Sequence, residues 1–205
     1  MFNKGIDISQ RNGEIDFTKV REAEIGYVFM KATEGATFQD PNYARYRCDV
    51  LSAGMTLGAY HYFRALSSTP EAQKDNIVNV LTQNGFNSSC EYFALDVELI
   101  GNESATPEVM ADNLKKLLLL LGEECIFGDR KPLIYCSPNF WDNRVDGDRY
   151  NFSEYPLWIA HWDVDEPRIP QTWSKACKSW SVWQYSSKGS IPGINGDVDL
   201  NNVRL

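Results

Sequence analysis

Two acids stand two residues apart at the end of an apolar run, Ala-Leu-Asp-Val-Glu at 94–98. If that run is a strand, the i, i+2 spacing sends the Asp96 and Glu98 side chains to one face, with Cα atoms about 6.5–7 Å apart. Ionising both carboxyls side by side is unfavourable, so one pKa rises and one group keeps its proton near neutrality. An acid able to protonate a leaving oxygen, beside a carboxylate that opposes growing positive charge, is what cleavage of a glycoside requires. The competing reading is a solvated strand edge, and Phe93, Leu95 and Val97 at the alternate positions speak against it. Two more acids close short apolar runs: Asp7 in Gly-Ile-Asp-Ile-Ser and Asp199 in Asp-Val-Asp-Leu-Asn. Asp7 could instead cap a helix or order a loop. Asp199 could be an ordinary exposed acid near the C-terminus, with Asp197 able to take any role given to it.

Other chemistries find less support. The Gly-x-Ser-x-Gly elbow of a serine hydrolase is missing. A zinc site wants nitrogen or sulfur ligands, and His61 and His161 are the two histidines. Between Tyr60 and Tyr62, His61 reads as packed or hydrogen-bonded rather than metal-binding. A hard divalent cation held by Asp7, Asp96, Glu98 and Asp199 is physically possible, although no phosphate loop or arginine cluster accompanies them.

These acids need a scaffold that brings distant segments together. Short apolar runs recur at Gly5–Ser9, Tyr27–Ala32, Leu57–Phe63, Tyr92–Leu99, Pro132–Cys136, Leu157–Trp162, Ser181–Tyr185 and Val198–Leu200. Several are apolar on both faces, as parallel strands covered by helices should be. Helices are expected over Asp16–Glu24, Asn42–Ala53, Thr69–Gln83 and from Thr106 to Leu121. The last two open with Thr-Pro-Glu: a cap, a first-turn proline and an acid favoured by the helix dipole. Alternation of strand and helix predicts an α/β fold with mostly parallel strands and right-handed crossovers. About eight strands suggest one barrel. Pro138, Pro156, Pro167, Pro170 and Pro192 interrupt the second half and point to an irregular one.

Composition sets the outer limits. A chain of 205 residues suits one domain with a proper core. Its net charge of -8 gives no basic footprint for nucleic acid or an anionic membrane. No apolar run approaches the ~18 residues of a membrane helix; the longest spans Leu117 to Leu121. The five cysteines, Cys48, Cys90, Cys125, Cys136 and Cys177, lack C-x-x-C spacing and read mostly as small buried hydrophobes. Asn87, Asn102 and Asn151 each begin an Asn-x-Ser triplet, a weak signal for glycosylation.

The strand ends resemble, in order, the motifs of glycoside hydrolase family 25, the Chalaropsis-type lysozymes or N-acetylmuramidases. They are Gly-Ile-Asp-Ile-Ser (5–9), Lys-Ala-Thr-Glu-Gly (31–35), Gly-Ala-Tyr-His-Tyr-Phe (58–63), Leu-Asp-Val-Glu (95–98), Leu-Trp-Ile-Ala (157–160), Trp-Gln-Tyr-Ser-Ser (183–187) and Gly-Asp-Val-Asp-Leu-Asn (196–201). The resemblance implies a single irregular, flattened TIM-like β/α barrel, expected over 1–205. Many family members add a wall-binding module; here, as a departure from that pattern, no separate wall-binding domain is expected. It implies hydrolysis of the β-1,4 bond from N-acetylmuramic acid to N-acetylglucosamine, without metal or other cofactor. In that scheme Glu98 is the general acid and Asp96 its partner carboxylate, with Asp7 and Asp199 as supporting acids on the groove floor. Tyr60 and Tyr135 line the substrate groove, and Lys31 and Glu34 are polar groups beside it. Asp96 either attacks the anomeric carbon or stabilises an oxazolinium formed by the substrate's own N-acetyl group; side-chain separation decides.

Three functional readings remain in play: a retaining muramidase, a catalytically silent glycan-binding barrel and a metal-assisted hydrolase. The expected partner is the peptidoglycan glycan strand, bound by a monomer without nucleic acid or membrane insertion. The place of action is the extracytoplasmic wall. The first residues lack the apolar core of a signal peptide, so delivery is expected by phage-type release or from a longer secreted form. Net negative charge offers no pull toward anionic wall polymers, so groove contacts must supply affinity. Trp158, Trp162 and Trp183 could stack on sugars or fill the core.

Overall fold

Capping residues and apolar periodicity place the elements of the computed structural model, which describes residues 3–205. The strands are β1 (Asn3–Ile8), β2 (Ile25–Glu34), β3 (Phe38–Gln39), β4 (Thr56–Tyr62), β5 (Tyr92–Asp96), β6 (Leu133–Cys136), β7 (Leu157–Ala160), β8 (Trp180–Gly189) and β9 (Val198–Val203). The helices are α1 (Phe17–Glu22), α2 (Tyr43–Ser52), α3 (Pro70–Gln83), α4 (Pro107–Gly122), α5 (Pro138–Arg144) and α6 (Gln171–Lys175). Thr69 and Thr106 cap α3 and α4 as their sequences predict, accepting from the amides of Ala72 and Val109 at 3.2 and 3.4 Å. Each such cap contributes about 1 kcal/mol.

Because β1 pairs with both β2 and β9, eight strands close into a barrel in the order β1-β2-β4-β5-β6-β7-β8-β9. The short β3, not anticipated from sequence, adds antiparallel to β2. The pairings from β1 through β8 are parallel. The last strand departs from the parallel pattern: β9 runs antiparallel to both neighbours. The reason is chain length. The connection over 190–197 contains no helix, whereas a parallel return needs a crossover of a dozen or more residues. The short α5 and α6 make the second half irregular, as its prolines foretold.

Side-chain alternation builds two apolar layers. Inside the barrel, Phe29, Ala94, Leu133, Trp158, Val182 and Val203 form a plug. Phe29 and Trp158 meet at 4.5 Å between ring centroids. Gly58 makes room for this pair, since a Cβ there would lie 2.1 Å from Phe29 Cδ1. Outside, the helices cover the sheet; Met110, Leu114, Leu117, Leu118 and Leu121 of α4 are all buried. With its lower half plugged, the barrel leaves the C-terminal ends of its strands for polar chemistry.

The cysteine expectation fails at four of five positions. Cys136 is buried, while Cys48, Cys90, Cys125 and Cys177 are exposed, and all five are free thiols. Cys48 lies on the outer face of α2, away from the buried Tyr43, Tyr46 and Val50. The other three occupy turns or short helical ends, where little can cover them. Among the described residues no helix is long and apolar enough to cross a membrane.

Candidate active site

A cavity of about 530 Å³ opens at the C-terminal ends of the strands. All eight residues singled out from sequence line it: Asp7, Lys31, Glu34, Tyr60, Asp96, Glu98, Tyr135 and Asp199. Asp96 ends β5, so Glu98 stands just beyond the strand rather than within it. The ladder nevertheless runs on by one bond, Val97 N–H to Tyr135 C=O at 2.9 Å, which preserves the alternation. Glu98 therefore enters the same cavity, while Val97 is fully buried on the other side. Neither acid is a solvated edge residue: Asp96 is buried and Glu98 half-buried.

The antiparallel closure sets Asp7 opposite Asp199 on the cavity floor. Asp7 is buried and caps nothing. Its carboxylate accepts from Gln184 Nε2 at 2.9 and 3.1 Å and from Asn201 Nδ2 at 2.7 Å. Those donors fix the amide orientation of Gln184, whose Oε1 then accepts from Tyr135 OH at 3.0 Å and Trp162 Nε1 at 2.9 Å. One buried glutamine thus joins a floor acid, a lining tyrosine and the exposed Trp162. Of the three tryptophans considered for stacking, Trp158 and Trp183 are buried; Trp162 is 46% exposed on the cavity wall.

Burial dominates the electrostatics. It lifts the Asp7 carboxyl well above the usual range, and the facing Asp199 adds to the effect. Asp199 itself is pushed up to about 6, by burial against the hydrogen bond from Asp7. Asp96 is raised well above the ordinary value by burial and then by the Glu98 charge, with Lys31 opposing. Burial also raises Glu98, against hydrogen bonds with Tyr135 and Tyr62 and the Lys31 charge. Four acids therefore resist ionising together, and the 96/98 pair keeps a proton to higher pH than free carboxyls would. Asp96 Oδ1 is buried without a hydrogen-bond partner among the described residues.

A cationic wall faces the acids. Glu34 pairs with both Lys31 and Arg64, so it neutralises part of their charge. Lys31 Nζ and the Arg64 guanidinium lie 4.9 and 4.8 Å from the centre of the Tyr62 ring. Behind the wall, Gln73 Nε2 donates to the carbonyls of Arg64 and Ser68, leaving Oε1 to accept from Arg64 N–H and from His61. His61 must then carry its proton on Nε2, and Nδ1 accepts from Thr33 Oγ1 at 2.7 Å. Full burial lowers its pKa to about 4, which keeps the ring neutral. His61 is thus packed and hydrogen-bonded, as expected.

Four contributors carried little sequence signal. Arg64 follows the Tyr-His-Tyr-Phe motif without any pattern of its own. Gln184 and Asn201 fall inside quoted motifs, yet their roles depend on reaching Asp7 across the barrel. Asn102 looked like a glycosylation triplet, but it is buried: its Oδ1 accepts from Ala65 N–H, and its Nδ2 donates to the carbonyls of Phe63 and Glu98. It therefore anchors the backbone that presents Glu98. Among the described residues, no group of three or more His, Cys, Asp or Glu has the arrangement of a metal site.

The model of glycosyl hydrolases family 25 matches residues 6–194. The chain belongs to glycosyl hydrolase family 25. It is 31% identical to an autolytic lysozyme of Clostridium acetobutylicum over 97% of its own length and 55% of the relative's. It is 27% identical to lysozyme M1 of Streptomyces globisporus over 97% of its length and 66% of that protein's. The chain thus spans between about half and two thirds of these two curated family-25 relatives. Its fold superposes on the crystal structure of the bacterial lysozyme from Streptomyces coelicolor with a TM-score of 0.86 at 26% identity, covering 100% of this chain and 93% of the other. The family-25 barrel and the acid-lined cavity at its open end therefore occur together in this chain.

Proposed function

We propose that this chain is a muramidase that hydrolyses the β-1,4 bond between N-acetylmuramic acid and N-acetylglucosamine in peptidoglycan, with retention at the anomeric carbon. The lysozyme names of its family-25 relatives support that reading, and one observation carries it here. Four carboxyls share a sugar-sized cavity in which burial holds them above their usual range, and Glu98 is the half-buried member of the 96/98 pair. Glu98 protonates the glycosidic oxygen and afterwards takes a proton from the incoming water.

The unpartnered Asp96 Oδ1 favours the oxazolinium route. A buried acceptor without a donor costs roughly 1–3 kcal/mol, and the N-acetyl N–H of the bound sugar would satisfy it. That bond stabilises ionised Asp96, while exclusion of water by the glycan raises Glu98 further. Binding thus sorts the shared proton onto Glu98, where the leaving oxygen needs it. Asp96 orients the acetamido group and opposes the positive charge that develops on it. Asp7 and Asp199 support the floor beneath the sugar, and Trp162 offers an exposed ring for stacking. The wall outside the membrane is the place of action, with glycan strands as partner.

The test is release of reducing ends from purified peptidoglycan, with muropeptide mass analysis to identify the broken bond. Glu98→Gln keeps the shape but loses the titrating proton, so turnover should fall by about 10²–10⁴-fold. Activity that vanishes in a chelator would move the assignment to metal-assisted hydrolysis. Binding of glycan without any reducing-end release would make the barrel a silent binder. Wild-type rates in Glu98→Gln would overturn the role given to Glu98.

A further inference from the structure

A second cavity, of about 650 Å³, opens beside the first. The two share Glu98, Ile100, Tyr135 and Trp162, so they form a continuous trench with the proposed acid at the boundary. On the reading above, the acid sits next to the leaving oxygen. The sugar that remains on the enzyme occupies the acidic cavity, and the departing half of the strand must run through the second one. That second cavity differs in character from a sugar site. Leu99 and Phe140 line it beside the shared Ile100 and Trp162, and Leu99 and Ile100 are 41% and 70% exposed. Such a lip presents more apolar surface than a row of hydroxyls can use.

Two of its charged side chains are in no ion pair among the described residues. Arg144 lines the cavity and donates to the carbonyls of Glu103 and Ala105, but it forms no ion pair among the described residues. Asp163 lines it as well, and is likewise in no ion pair among the described residues. Beside the shared Glu98, a site with methyl-sized apolar surfaces and with a cation and an anion in no ion pair among the described residues complements a short peptide. The small side chains would cover the lip, a carboxylate would pair with Arg144, and an amine would pair with Asp163.

We propose that this cavity binds the peptide stem carried by the departing part of the glycan, and so makes the enzyme prefer peptide-bearing strands over bare ones. The proposal rests on the muramidase reading for the direction of the strand, yet binding tests it separately from turnover. Glu98→Gln protein would be titrated with a peptide-bearing muropeptide tetrasaccharide and with the same tetrasaccharide stripped of peptide. The peptide-bearing form should bind about tenfold more tightly, the scale of one hydrogen bond to a charged group. Adding Arg144→Gln should remove that preference. Because Arg144 also holds two loop carbonyls, Asn139→Asp provides a second variant. Asn139 lines the same cavity and accepts from Arg168 through Oδ1, a bond that a carboxylate retains. An acid in the first turn of α5 is favourable to the helix, so folding should be unharmed. The added negative charge should still weaken the peptide-bearing ligand selectively. Equal affinities for the two ligands, or a preference untouched by both variants, would overturn the proposal. A clear preference without any hydrolysis by the wild type would uphold it and refute the muramidase reading instead.

Discussion

Replacing Asp199 by Asn should stabilise the protein at neutral pH while slowing it. Burial raises the Asp199 carboxyl from its usual 3.8 to about 6, the hydrogen bond from Asp7 opposes this, and the Glu98 charge adds to it. Between those values the folded chain holds a proton that the unfolded chain has released, so stability falls as pH rises. Below 3.8 both states are protonated and the penalty is absent; above about 6 it is fully developed. The gap corresponds to about 3 kcal/mol if no charge is screened. Asp199 is only half-buried, and solvent screening reduces this to about 1–1.5 kcal/mol. For a chain of this size that amounts to a gain of about 2–6 °C in Tm. Asn keeps the volume and can still bond to Asp7. Thermal unfolding of both proteins at pH 3.5 and 7.5 checks the argument. The gain should appear at the higher pH and vanish at the lower one. An equal gain at both, or none at pH 7.5, would refute the claim that burial of a shared charge cluster sets this acid. Reducing-end assays on the same samples should show slower turnover, the usual trade of stability against a strained site.

Other outcomes follow from the same geometry. Asn102→Ala removes three hydrogen bonds around the Glu98 backbone and should cost about 2–4 kcal/mol in denaturant unfolding; its kcat should fall more than its KM rises. Gln184→Leu removes the acceptor of Tyr135 OH and Trp162 Nε1 and leaves Asp7 with Asn201 as its remaining amide donor, so a loss of about 3–5 kcal/mol is expected in the same assay. Lys31 lowers both Asp96 and Glu98; Lys31→Met should therefore move the alkaline limb of the kcat/KM profile to higher pH, and a limb that stays put or moves down would contradict the reading.

Much of the scaffold was legible because it rests on local physics. The Thr-Pro-Glu starts of α3 and α4 need only a side-chain cap, a fixed φ and a dipole, all encoded within a few residues. The apolar runs that become β1, β2 and β4 to β9 likewise announce themselves. What escaped depends on neighbours distant in sequence or on chain length. The direction of β9 follows from the short connection over 190–197, and the exposure of Cys48 from which face of α2 meets the barrel. Asn102 carried a surface motif in its sequence and an anchoring role in the fold, because its partners Phe63 and Ala65 come from another strand's exit.

Which functional groups are available, and their local spacing, is written along the chain: paired acids at 96 and 98, single acids at 7 and 199, and aromatic and cationic neighbours at the ends of successive strands. The fold settled that these groups share one cavity, that Gln184 and Asn201 hold Asp7, and that burial lifts both Asp96 and Glu98 above the usual carboxyl range. Proton affinity depends on how much water is removed and which charges come close. Both are set by barrel closure, which brings β1, β5, β8 and β9 around the same space.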